Sequence, residues 1–118
     1  MSKSANPGEL RTPVYIKSIT RRVNENGYPV DTESNIFGAD VPIMCKWVNA
    51  HGSEAFTAME MKLREPATLT CRYTPLINRR CIAYKGSDPD PYEIISIDNV
   101  EERNEWLEIK VQRREEAR

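Results

Sequence analysis

Apolar side chains in this chain return at every second position and are not gathered into runs. Leu107, Ile109 and Val111 alternate with Glu108, Lys110 and Gln112, and Leu69, Cys71 and Tyr73 alternate with Thr68, Thr70 and Arg72. A period of two puts successive side chains on opposite faces of an extended strand, so each segment has one face to bury and one to wet. The same reading covers Arg11 to Val23, where Val14, Ile16, Ser18 and Thr20 stand opposite Tyr15, Lys17, Ile19 and Arg21, with Pro13 tolerated near the start. Pro42 to Val48, Arg80 to Lys85 and Tyr92 to Asp98 complete six strand signals. One helical pattern interrupts them. Ser53 caps a segment running to about Leu63, with Phe56, Met59 and Leu63 on one face and Pro66 beyond its end. At 118 residues one thin core is affordable. The expected fold is therefore mainly β: a small antiparallel barrel or sandwich of about six strands with one short α-helix, in a single domain over residues 10–113. A loose arm at residues 1–9 and a tail at 114–118 flank it.

The longest connection is expected after the first strand. Asn24 to Asp40 is rich in Asn, Gly, Pro, Ser and acid, and at seventeen residues it exceeds an ordinary loop. Its charges, Glu25, Asp31, Glu33 and Asp40, are all negative, and Tyr28, Val30, Ile36 and Phe37 offer apolar surface to a partner. Two readings stand side by side: a functional loop, or an acidic, solvated hairpin.

Seventeen cationic residues against eighteen acidic ones give a net charge of −1, which supplies no global attraction to a polyanion. Polarity all along the chain argues against a membrane span, and the start Met1 to Gly8 lacks the apolar stretch of a signal peptide, so a soluble, unexported protein is expected. Cys45, Cys71 and Cys81 are an odd set without an export signal and read as reduced, buried hydrophobes. With His51 they lack the short spacings of a zinc site, and no phosphate loop, paired-histidine motif or nucleophile elbow is present, so neither catalysis nor a cofactor is expected.

Charge is uneven along the chain. Lys62, Arg64, Arg72, Arg79, Arg80 and Lys85 face only Glu65 in residues 62–85, whereas residues 86–108 hold eight carboxylates, Asp98, Glu101 and Glu102 among them, against Arg103. Either the two blocks form neighbouring strands of one sheet, or they mark opposite flanks that meet between subunits of a head-to-tail ring.

In order and spacing the chain resembles the head-tail joining (head-closure, or stopper) proteins of long-tailed bacteriophages. The likeness opens on Gly8-Glu9-Leu10-Arg11, continues through Trp47-Val48 and Gly52-x-Glu54, then Thr68-x-Thr70-x-Arg72-Tyr73, Arg80-Cys81-Ile82-x-Tyr84-x-Gly86, Tyr92-x-Ile94 and Ile97, and closes on Glu101-Glu102-Arg103-Asn104 and the strand around Leu107. Ser87 to Pro91 is longer than the usual turn, and the Asn24 to Asp40 loop aligns with nothing in the pattern.

The resemblance implies a structural virion protein at the head-tail interface, present in the host cytoplasm during assembly. It would form a ring of its own copies, built on the portal or its adaptor and monomeric in isolation. Such a ring closes the head on packaged double-stranded DNA without sequence-specific binding and gives the tail or a tail-completion protein its docking surface. Tyr28, Val30, Asp31, Glu33, Ile36 and Phe37 are then candidates for a channel loop. Arg72, Arg79, Arg80, Asp98, Glu101, Glu102, Arg113 and Arg114 are candidates for subunit or ring interfaces. Two alternatives remain: a tail-side completion protein, and an oligonucleotide-binding barrel that stacks bases on Trp47, Tyr73 and Tyr84 beside Arg72, Arg79 and Arg80.

Overall fold

A computed structural model describes residues 7–50 and 62–114. The alternating segments become β1 (Thr12–Val23), β3 (Ile43–Asn49), β4 (Ala67–Arg72), β5 (Cys81–Lys85), β6 (Tyr92–Asn99) and β7 (Trp106–Arg113), each at the position its period assigns. A seventh strand, β2 (Pro29–Asn35), joins them. The hydrogen-bonded order is β2-β1-β3-β4-β7-β6-β5, and β5 pairs again with β1, closing β1, β3, β4, β7, β6 and β5 into a six-stranded antiparallel barrel. Closure removes the exposed edges of those six strands, leaving β2 as the added one.

The inward phase of every barrel strand supplies the core. Val14 and Ile16 from β1, Cys45 from β3, Ala67, Leu69 and Cys71 from β4, Ala83 from β5, Ile94 from β6, and Leu107, Ile109 and Val111 from β7 are all buried. In β6 the phase reverses partway. Ile94 pairs with Val111 but Ser96 pairs with Lys110, so one extra residue enters the strand. That bulge moves the inward positions from even to odd numbers, which lets Ile97 pack against the core opposite Ile109. All three cysteines are free thiols inside this core.

Two expectations change. Asn24 to Asp40 is not one long loop: β2 occupies its middle and pairs with β1 from Lys17↔Asn35 to Val23↔Pro29, so the solvated-hairpin reading holds for this segment. Local chemistry explains the turn. The Asn24 side-chain oxygen accepts the N–H groups of Asn26 and Tyr28, both at 2.9 Å, and Gly27 takes the left-handed backbone (φ 81°) that side chains disfavour. Tyr73, expected inside with Leu69 and Cys71, is 36% exposed. The β4–β7 ladder ends at Arg72↔Trp106, and Tyr73 retains only a bond from its N–H to the Glu105 carbonyl (2.9 Å), so the alternation stops before it. The helix expected from Ser53 to Leu63 falls almost wholly outside the described residues, as does His51, the arm before Pro7 and the tail beyond Arg114.

Candidate functional site

Strand β1 is longer than the barrel needs. Thr12 to Val14 pair with β3 and Val14 to Ser18 with β5, but Ile19 to Val23 pair with β2 alone. The hairpin's distal half therefore has no barrel strand beside it. What fixes it is a polar network on the outer face. The Tyr84 hydroxyl on β5 donates to the Glu33 carboxylate (2.9 and 3.1 Å), and Lys17 lies 3.8 Å from Glu33 and 4.9 Å from the centre of the Tyr84 ring. One register step further out, Arg21 Nε donates to Asp31 (3.0 Å), and Arg114 reaches Asp31 from beyond β7 (3.8 Å). Burial, then the bond to Glu33, pushes the Tyr84 hydroxyl up to about 12, while the hydrogen bond from Arg21 holds Asp31 below the usual carboxylate range.

Of the expected channel residues, four are thus engaged within the chain. Asp31 and Glu33 are tied to the wall, and Ile36 and Phe37 pack half-buried against the core at the hairpin's root. The tip presents Tyr28, 66% exposed, and Val30, 42% exposed, together with Val23 at 71%, which the sequence reading did not select. Its signal was available: Val23 lies beyond the last core residue of β1, with Asn24 turning the chain next to it.

The expected interface residues separate into two groups. At the hairpin's end of the barrel, the Arg80 carbonyl accepts from Ile19 N–H (3.3 Å), so the exposed Arg79 and Arg80 sit at the hairpin root. The β6–β7 link opens at the same end, where Glu101 and Glu102 both hold a left-handed backbone (φ 55°) that costs about 1 kcal/mol per residue. Asn99 and Asn104 brace that link through two side-chain hydrogen bonds, of 2.6 and 3.1 Å. Arg72 is nearby but stacks over the buried Trp106 ring at 5.3 Å. Strands of the basic and acidic blocks are neighbours in the barrel, β4 beside β7 and β5 beside β6, and Arg64 meets Glu93 at 3.5 Å.

At the opposite end, Arg113 is an internal clamp. It donates to Glu65 (3.2 Å), Asp88 (2.9 Å) and the Asp90 carbonyl (2.8 Å), and its guanidinium lies 4.2 Å from the Tyr92 ring centre. Burial opposes its charge, but the bonds to Glu65 and Asp88 outweigh that and hold it raised. Asp88 is held low, first by the Asp90 backbone N–H and then by Arg113. Glu65, Asp88, Tyr92 and Arg113 line a cleft of about 360 Å³ with Asn49 and Lys85. Spacing in sequence does not reveal the clamp, because its members come from two separate connections and two strands.

The aromatic rings of the oligonucleotide reading are occupied. Trp47 packs edge-on against Tyr92 (4.8 Å between centroids) beneath Lys85, and Tyr84 is held by Lys17 and Glu33, leaving Tyr73 apart from both. Among the described residues no cluster of His, Cys, Asp and Glu is placed to hold a metal ion, and no helix is long and apolar enough to cross a membrane.

No curated protein sequence matches the chain. Among solved structures, the solution structure of protein SF1141 from Shigella flexneri 2a superposes with a TM-score of 0.65 at 19% identity, covering 96% of this chain and 100% of that one, which is a likeness of fold. The family model described as phage head completion protein matches residues 5–115, so the chain belongs to the phage head completion protein family, a family of structural proteins that act at phage head closure.

Proposed function

We propose that this head completion protein assembles as a ring of identical subunits between the portal and the tail, with the β1–β2 hairpin directed toward the channel. The observation that carries this reading is the exposed apolar tip. Val23, Tyr28 and Val30 stand on a hairpin held to the barrel by three ionic and hydroxyl contacts, from Lys17, Tyr84 and Arg114, so the tip is positioned while its apolar surface is left for something outside the subunit. In a ring, tips brought together around an axis would pack Tyr28 and Val30 against their copies and narrow the passage for DNA. Carboxylates tied to Arg21 and Lys17 add little net charge there, so retention of DNA is a matter of packing, not of gripping phosphates. Arg79 and Arg80 beside the hairpin root, with Glu101 and Glu102 on the β6–β7 link, supply opposite charges for subunit contacts, and the Arg113 end offers a second surface for the tail.

The test is replacement of residues 21–31 by a two-residue turn in the phage. Heads should fill, then leak DNA and fail to join tails stably, while the purified variant stays folded. Particles that keep DNA and infect normally would remove the hairpin from the gate and leave it as a subunit contact.

A further inference from the structure

Barrel closure resolves the odd cysteine count into a pair and a single. On the β3–β4 ladder, Trp47 is opposite Leu69 and Lys46 opposite Thr70, so the next step places Cys45 opposite Cys71. Each is also fixed from its other side, Cys45 opposite Thr12 on β1 and Cys71 opposite Leu107 on β7. Both side chains point into the core, with 0% and 1% exposure, and the Cys45 thiol donates to the Ile43 carbonyl beside it (3.8 Å). Directly opposed residues of an antiparallel pair have Cα atoms about 4.5–5.5 Å apart, within the ~4.4–6.8 Å that a disulfide spans. Cys81 lies on β5, which pairs with neither strand, and its thiol donates to the Asn78 side-chain oxygen at 3.7 Å.

We infer that Cys45 and Cys71 form a dithiol which a small peroxide closes into a cross-strand disulfide, stapling β3 to β4. Access runs through a cleft of about 290 Å³ lined by Cys71 with Leu10, Phe37, Ile43 and Met44. The neighbouring Cys45 thiol favours the thiolate on Cys71 against burial, whereas its Cys71 neighbour and burial keep Cys45 protonated. The Cys71 thiolate attacks one peroxide oxygen, the O–O bond breaks, and hydroxide leaves, giving a sulfenic acid. Cys45 sulfur then bonds to Cys71 sulfur as the sulfenic S–O bond breaks, the departing hydroxyl taking the Cys45 proton and leaving as water, while the proton that Cys71 gave up on ionising neutralises the hydroxide from the peroxide. Two thiols and one hydrogen peroxide become one disulfide and two waters. The cross-link encloses the whole β3–β4 connection, which restricts the unfolded chain and raises the thermal midpoint. A protein made in a reducing cell and carried out in a particle would acquire this staple after release; that setting rests on the proposed function, the chemistry does not.

The experiment uses the purified full chain, unreduced by additives, exposed to hydrogen peroxide under native conditions. The expected result is an intact mass lower by two hydrogens, a Cys45–Cys71 linked peptide, Cys81 still open to alkylation after unfolding, and a midpoint raised by several degrees that reductant restores. Cys81→Ser should behave the same, and Cys45→Ser should lose the cross-link. Three free thiols after treatment, sulfinic acid on Cys71 without a cross-link, or a bond involving Cys81 or a second chain would each overturn the inference. None of these readings depends on DNA retention, so the staple and the head-closure role fail separately.

Discussion

The barrel and the distal hairpin are built from the same alternating pattern, yet they are held together by different forces. In the barrel every strand has a neighbour on both sides, and Val14, Leu69, Ile109 and Val111 have no exposed surface at all. In the distal hairpin two strands pair only with each other, nearly every residue of β2 is exposed, and the fixed points are ion pairs and one tyrosine hydroxyl. Apolar burial is worth about 25 cal/mol per Å², whereas exposed ion pairs contribute ~1 kcal/mol or less. Stability therefore resides in the barrel, and the hairpin is free to carry residues chosen for contact. Pro29, Asp31 and Glu33 also blunt the edge that β2 would otherwise present to another strand.

The sharpest way to break that contrast is to truncate one side chain in each region. Ile109→Ala or Leu107→Ala should cost about 2–5 kcal/mol, a large share of a small domain's stability, read from denaturant midpoints. Val30→Ala, with its side chain in solvent, should stay within about 0.5 kcal/mol. Comparable losses at the two places would mean that the hairpin is packed as tightly as the core.

Arg113 tests the region between those extremes, since it is mostly covered yet held by charge. Arg113→Ala should lower the thermal midpoint less than Ile109→Ala and more than Arg21→Ala, because it frees Glu65, Asp88 and the Asp90 carbonyl together. Arg113→Lys should recover little, as an ammonium lacks the planar fork that reaches all three. Full rescue by lysine would reduce the clamp to simple charge.

Six strands were legible because burial on one face imposes period two. Leu69, Cys71, Leu107, Ile109 and Val111 are inside for that reason. β2 was hidden because neither of its faces is buried: Val30, Thr32 and Ser34 face one way and Asp31, Glu33 and Asn35 the other, with no apolar alternation to detect. Tyr73 was misplaced because the pattern carries no mark of where a ladder ends. The Lys17, Glu33, Tyr84 and Arg114 contacts join positions far apart in sequence, and they meet once β2 pairs with β1 and β5 closes onto it.

The smallest expected effect isolates the hairpin's attachment through its pH dependence. Tyr84 titrates near 12 in the folded chain, against about 10 when solvated, so folding favours its protonated form. A group whose folded value is raised contributes stability that is fully present below its unfolded value and lost as pH rises through the folded one. The bond to Glu33 should therefore weaken between pH 10 and 12, a window distinct from the acid side, where Asp31 loses its contribution as pH falls through its lowered value. Tyr84→Phe removes the hydroxyl while keeping the ring beneath Lys17. It should flatten the decline of the thermal midpoint across the alkaline window and delete one late step in phenolate absorbance, leaving the late titration of Tyr92, which burial also raises. Because the ring and the barrel remain, the loss at neutral pH should be small, and hydrogen exchange should rise at Arg21 to Val30 while core amides on β4 and β7 keep their protection. An unchanged alkaline profile in Tyr84→Phe would show that the phenol does not fasten the hairpin, and that Arg21, Asp31 and Arg114 hold it alone.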